Sequence, residues 1–127
     1  MRLRRAMIFT KSIERMGTFY RDGLGLTPMS AESSKGWLEF DAGGVALALH
    51  EIPAHIAKDI EITSPPTARE ETPIKLVFEV PEIEVARVHL INHGAVMAEP
   101  SGWGSCDGVD PEGNVFQIVR VLAGRAL

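Results

Sequence analysis

Four kinds of side chain in this sequence could do chemistry: the carboxylates Glu39 and Glu79, the imidazoles of His50, His89 and His93, the cations Arg5 and Lys75, and the thiol of Cys106. A carboxylate in an apolar cleft has its pKa raised, so Glu39 or Glu79, like His50, could serve as a general base. Arg5 and Lys75 each precede an apolar run; they read either as an anion site or as strand-start charges in solvent or paired with Glu39 or Glu79. His89 and His93 lie four apart, a spacing that can bind zinc on a helix. His93 also precedes Gly94 at a helix end, where an imidazolium interacts favourably with the dipole, and no third ligand adjoins the pair. Cys106 as a nucleophile would need a depressed pKa, and small-residue packing is its other role. Trp37 and Trp103 could stack on a flat ligand or support a sheet edge. No phosphate-binding Gly loop with its Lys, no Gly-x-Ser-x-Gly elbow and no Cys-x-x-Cys occurs, which removes the nucleotide-hydrolase, serine-hydrolase and zinc-ribbon readings.

The elements that position these residues repeat with a period of about half the chain. Arg5 to Thr10 followed by Ser12-Ile13-Glu14 matches Lys75 to Val80 followed by Glu82-Ile83-Glu84; Leu24-Gly25-Leu26 falls on His93-Gly94-Ala95, and Asp41-Ala42-Gly43-Gly44 on Asp110-Pro111-Glu112-Gly113. Each half predicts strand, helix and three strands. In the first, Arg5 to Thr10 is a strand, Ser12 caps a helix carrying Ile13, Met16, Tyr20 and Leu24, and Gly25 supplies a positive φ at its end. Leu26 to Glu32, Gly36 to Asp41 and Val45 to Glu51 are the remaining strands, with counterparts at Ala95 to Ala98, Gly104 to Val109 and Asn114 to Val121. The second helix carries Ile83, Ala86, Leu90 and Gly94. The Pro-rich stretch Ile52 to Pro73 is a connector, with a helical turn expected at Ala54 to Lys58. The fold class is therefore α+β, two tandem βαβββ modules forming a curved mixed sheet around a cleft: module 1–51, linker 52–73, module 74–122, one domain of 127 residues.

Strand alternation divides the side chains between two faces. Leu38, Phe40, Leu47, Leu49, Leu76, Phe78, Phe116 and Ile118 belong under the helices. Arg5, Met7, Phe9, Trp37, Glu39, Ala46, Ala48, His50, Lys75, Val77, Glu79, Cys106, Val115, Gln117 and Val119 belong on the other face, a polar and apolar mixture suited to a ligand pocket. Thirteen Lys and Arg against seventeen Asp and Glu, net charge −4, with no basic stripe, argue against nucleic acid. A single cysteine cannot close an intrachain disulfide, which points to the cytoplasm. Arg2, Arg4 and Arg5 mimic a signal-peptide start, but Ala6 to Phe9 is too short for an exported or membrane-spanning segment.

Phe19-Tyr20-Arg21-Asp22-Gly23-Leu24-Gly25-Leu26, and Trp103-Gly104 followed by Asp110-Pro111-Glu112-Gly113-Asn114, resemble the motifs of the vicinal oxygen chelate superfamily. That superfamily includes glyoxalase I, bleomycin-resistance proteins, extradiol dioxygenases and fosfomycin-resistance enzymes. The resemblance covers nearly the whole chain and implies a homodimer, with swapped and unswapped module pairing both open. It also implies that the metal ligands of the active relatives fall at Arg5, Ala48, Lys75 and Gln117. Two of these are cations, one has no donor atom, and only the Gln117 amide oxygen remains, so no metal and no other cofactor is expected. The resemblance then implies a metal-independent small-molecule-binding protein, its cleft suited to an anionic or flat metabolite or drug. The alternative is a glyoxalase-like lyase, isomerase or dioxygenase-like metalloenzyme with a non-standard ligand set around His50, or a metal-free enzyme using Glu39 or Glu79. Whether the chain is an enzyme stays open at this point.

Overall fold

The computed structural model describes residues 1–69 and 74–121; Glu70 to Pro73 of the expected linker and Leu122 of the expected second module lie outside the described residues. The chain divides into two units after Glu61. In the first, β1 (Arg5–Thr10) leads into α1 (Ile13–Thr18), which continues as a π-helical turn over Phe19–Gly23. β2 (Thr27–Pro28), β3 (Trp37–Asp41), β4 (Ala46–Glu51) and the short α2 (Ala54–Ala57) follow. The sheet order is β1-β4-β3-β2, with β1 parallel to β4 and the other neighbours antiparallel. The second unit repeats it: β5 (Leu76–Val80), α3 (Ile83–Asn92), β6 (Val96–Met97), β7 (Ser105–Val109) and β8 (Val115–Arg120), in the order β5-β8-β7-β6. This is the α+β pair of tandem βαβββ modules expected from the repeat.

Local chemistry explains the boundaries. Ser12 Oγ accepts from the Arg15 amide at 3.3 Å and starts α1, and Gly25 at φ 71° and Gly94 at φ 100° follow the two helices in the left-handed region. Leu26 to Glu32 forms the expected strand only over Thr27–Pro28. Pro28 lacks an amide to extend the ladder, the Met29 amide makes one further bond to Glu39 O at 2.8 Å, and Ser30–Glu32 then turns as a 3₁₀-helix. The Ser33 hydroxyl replaces the missing strand by accepting from the Glu39 amide at 3.1 Å.

The connector is held at both ends. The Ile52 amide donates to Thr10 O at 2.8 Å and Lys11 Nζ to Ile60 O, within the first unit. In the second, the Arg69 amide and Nε donate to Gly113 O and Glu112 O at 2.9 and 3.0 Å. Each unit buries its own core on the helix side: Met16, Phe19, Tyr20, Phe40, Leu47 and Leu49 in the first, Ile83, Leu90, Phe116 and Ile118 in the second. Each such side chain contributes about 1.5–3 kcal/mol by leaving water. Among the described residues no helix is long and apolar enough to cross a membrane.

Candidate ligand-binding site

The register of the first sheet places the chemistry. Met7 sits opposite Ala48, Phe9 opposite His50, Glu39 opposite Ala48 and Trp37 opposite His50. Directly paired residues project to one face, so Arg5, Met7, Phe9, Trp37, Glu39, Ala48 and His50 share the face away from the helix, as alternation predicts. Two groups form there. Glu39 is only 4% exposed; its Oε1 lies 3.3 Å from Arg5 Nη2 and accepts from Trp37 Nε1 at 3.2 Å. The Arg5 guanidinium also lies 5.6 Å from the Trp37 ring centroid, a cation–π distance. Beside this pair, the His50 ring stands 5.6 Å from Phe9 and 5.4 Å from Trp37, forming an aromatic row across β1, β4 and β3. Phe9 is 54% exposed, so the row is open to a ligand.

The second sheet carries a related group. Val77 and Asp107 both lie opposite Gln117, and Glu79 lies opposite Val119. Lys75 Nζ lies 3.1 Å from Asp107 Oδ1, and Gln117 Nε2 donates to the same oxygen at 3.0 Å. The Gln117 hydrogen bond first, then the hydrogen bond and charge of Lys75, hold the Asp107 carboxyl below its ordinary range. Of the two readings of the cations, which the sequence left open, the structure shows internal pairing: Arg5 takes Glu39, one of the two carboxylates considered, and Lys75 takes Asp107, a residue the sequence reasoning missed. Glu79 lines a hollow of about 910 Å³ with Glu82, Trp103, Val119 and Arg120.

Cys106 corrects the expected site. It pairs with Ile118 and is 1% exposed, so it lies on the helix-side face and does not line the open one. The cause is a one-residue difference between the two hairpins. Asp41 pairs with Ala46 across residues 42–45, whereas Val109 pairs with Val115 across the longer 110–114. The Asp41 carboxylate caps Gly43 and Gly44 from within β3, while Asp110, just past β7, accepts from the amides of Glu112 and Asn114 and from the Asn114 side chain. Aligning the two Asp turns therefore slips the preceding strand by one position and reverses its faces. Ser105 is the true counterpart of Trp37, and Asp107 that of Glu39. Burial pushes the Cys106 thiol up, and its Sγ donates to Ala98 O at 3.2 Å, a packing role.

The four positions to which the resemblance assigns metal ligands do not fit a divalent cation. Arg5 and Lys75 are cations bound to carboxylates, Ala48 has no donor, and Gln117 gives its amide nitrogen to Asp107. Among the described residues no three His, Cys, Asp or Glu side chains gather closely enough to hold a metal, around His50 or elsewhere. The rings of His89 and His93 lie 4.3 Å apart, with His93 Nδ1 bonded to His89 O at 2.8 Å.

Residues 5–119 match the family model described as a glyoxalase-like domain. Among solved structures, a glyoxalase/bleomycin resistance protein/dioxygenase family enzyme from Burkholderia phytofirmans PsJN is 22% identical with a TM-score of 0.71, over 93% of this chain and 97% of that one. A protein of unknown function from Agrobacterium tumefaciens str. C58 is 25% identical at TM-score 0.69, over 96% and 95%. The fosfomycin resistance protein FosX from Mesorhizobium loti is 12% identical at TM-score 0.68, over 95% and 92%. No curated protein sequence matches the chain.

Proposed function

Because this chain belongs to the glyoxalase-like domain family of the vicinal oxygen chelate superfamily, a fold that hosts several chemistries, we propose that it is a metal-independent binding protein for a flat small molecule. The observation that carries this reading is the open row Phe9, His50 and Trp37 beside the Arg5–Glu39 pair. Offset or edge-on aromatic contacts contribute about 0.5–1.5 kcal/mol each beyond the area they bury, and the row presents three rings. The cation next to it is already neutralised by Glu39, which favours a planar ligand over a purely anionic one. On the same face of the first sheet, Met7 is 43% exposed and adds apolar surface beside the row.

The enzymatic alternatives draw less support. Glu39 is committed to Arg5 and Trp37, which removes it as a ready general base, and His50 has no second and third ligand beside it among the described residues. The protein acts as a homodimer in the cytoplasm, binding neither nucleic acid nor membrane. One buried cysteine and the net charge of −4 support that setting.

Thermal shift against a panel of planar aromatic metabolites and drugs tests the reading. A ligand at one hundred times its dissociation constant adds roughly 2.7 kcal/mol of stability. In a Trp103→Phe background the same ligand should quench Trp37 fluorescence, and Phe9→Ala should weaken it. A ligand that binds equally well to Phe9→Ala and Trp37→Ala, or one that needs a stoichiometric metal, would overturn the proposal.

A further inference from the structure

We propose that His50 sets the specificity of the open row: it favours a flat, uncharged ligand whose edge carries a group able both to give and to take a hydrogen bond, such as an aromatic hydroxyl, over a purely apolar or a carboxylate-bearing one. This deepens the reading of the preceding section and rests on it. His50 is exposed, its ring stands between those of Phe9 and Trp37, and among the described residues no hydrogen bond or ion pair reaches its nitrogens. The other polar groups beside the row are committed to one another. Trp37 Nε1 and Arg5 Nη2 both meet Glu39 Oε1, on a side chain that is nearly enclosed. His50 is paired in register with Phe9 on one side and Trp37 on the other, so strands rather than a loop hold the imidazole beside whatever lies on the two rings.

A ring laid on this row displaces the water that serves the imidazole. If the edge of that ring is apolar, a donor and an acceptor are left without partners, and the loss cancels much of what stacking contributes. A neutral imidazole has one N–H and one bare nitrogen, and a hydroxyl can serve either, whichever tautomer is present. The charges on the face favour a neutral group. Along its strands the open face of the first unit carries Arg5, Glu39 and Asp41, one cation against two carboxylates, so a ligand carboxylate meets net repulsion. A ligand cation would have to share the Trp37 ring with the Arg5 guanidinium, which lies 5.6 Å from its centroid. A neutral hydroxyl avoids both conflicts and satisfies His50.

Equilibrium dialysis of the full chain at neutral pH against three probes of one shape tests this: 2-naphthol, 2-methylnaphthalene, in which a methyl replaces the hydroxyl, and 2-naphthoate. Wild type should bind 2-naphthol about tenfold more tightly than 2-methylnaphthalene, the effect of one hydrogen bond, and 2-naphthoate no more tightly than 2-methylnaphthalene. His50→Phe keeps a ring for stacking and removes both nitrogens, so the preference for 2-naphthol should vanish while 2-methylnaphthalene binds as well as before. His50→Gln, which keeps a donor and an acceptor, should restore part of the preference. A wild type that binds 2-naphthol and 2-methylnaphthalene equally, or prefers 2-naphthoate, with binding still weakened in Phe9→Ala, overturns the role of His50 and leaves the row standing; so does a 2-naphthol preference undiminished in His50→Phe. Failure to bind any of the three, or binding that Phe9→Ala leaves intact, overturns the row and this inference with it.

Discussion

Glu39 and Asp107 occupy the same place in the two sheets. Each lies on the third strand of its module, opposite Ala48 or Gln117 of the fourth, and each accepts the cation that opens the module, Arg5 at 3.3 Å or Lys75 at 3.1 Å. The repeat thus keeps an ion pair at the equivalent position of both modules. The two pairs differ in burial, which sets their energetics: the Glu39 side chain is nearly enclosed, that of Asp107 is half exposed.

Glu39→Gln should destabilise the protein by about 1–3 kcal/mol, because it leaves the Arg5 charge partly desolvated without its carboxylate. The Arg5 Nε, buried and without an acceptor among the described residues, makes that charge harder to satisfy. Urea denaturation of the variant and of Arg5→Met,Glu39→Leu checks this; the double variant should recover most of the loss.

The carboxyl of Asp107 is held low in the folded state, so it contributes stability above its unfolded value and loses it as pH falls from about 3.8 through the folded value. Gln117→Leu and Lys75→Gln should each raise the Asp107 titration, since each removes a group that favours the ionised carboxylate. NMR titration of the carboxyl carbon in both variants reads the shifts directly. An Asp107 titration unmoved in both variants would refute the assignment.

Cys106 should be inert to a disulfide reagent in the native state at pH 8 and react fully in denaturant, with a rate that tracks unfolding. Burial on the helix-side face raises its pKa and blocks access. Fast labelling of the folded protein would contradict the register that pairs it with Ile118.

Protein purified without chelators should carry no stoichiometric divalent ion, and zinc should leave its melting temperature unchanged, in wild type and in His50→Ala alike. Elemental analysis and a zinc titration followed by calorimetry check both. A zinc-dependent rise lost in His50→Ala would restore the metalloenzyme reading.

The turn that Asp110 caps requires glycine at position 113. Gly113 sits at φ 92°, and a Cβ there would lie 2.6 Å from Thr67 O, so Gly113→Ala should cost about 1–3 kcal/mol. Thermal denaturation measures it.

The amino-acid sequence by itself determined most of the architecture, because the repeat and the two-residue and 3.6-residue periodicities are local properties of the chain. Arg5–Thr10 is the strand that its apolar run predicts, Ser12 caps α1 as its hydroxyl allows, and alternation puts Phe9, Trp37 and His50 on one face, where the structure stacks them into a row. The open face of the second module was legible only in part. Its register depends on how many residues the hairpin between β7 and β8 holds, and the extra one, recruited by the Asp110 carboxylate, moves Asp107 onto the open face and Cys106 under the helix. The strand predicted over Leu26 to Glu32 is shortened to Thr27–Pro28 for a related reason, since the Ser33 hydroxyl supplies the bond a longer strand would have made. Ion-pair choice was likewise decided by tertiary structure: a side chain several ångströms long can reach more than one partner, and only the three-dimensional register places Asp107 and Gln117 together in front of Lys75.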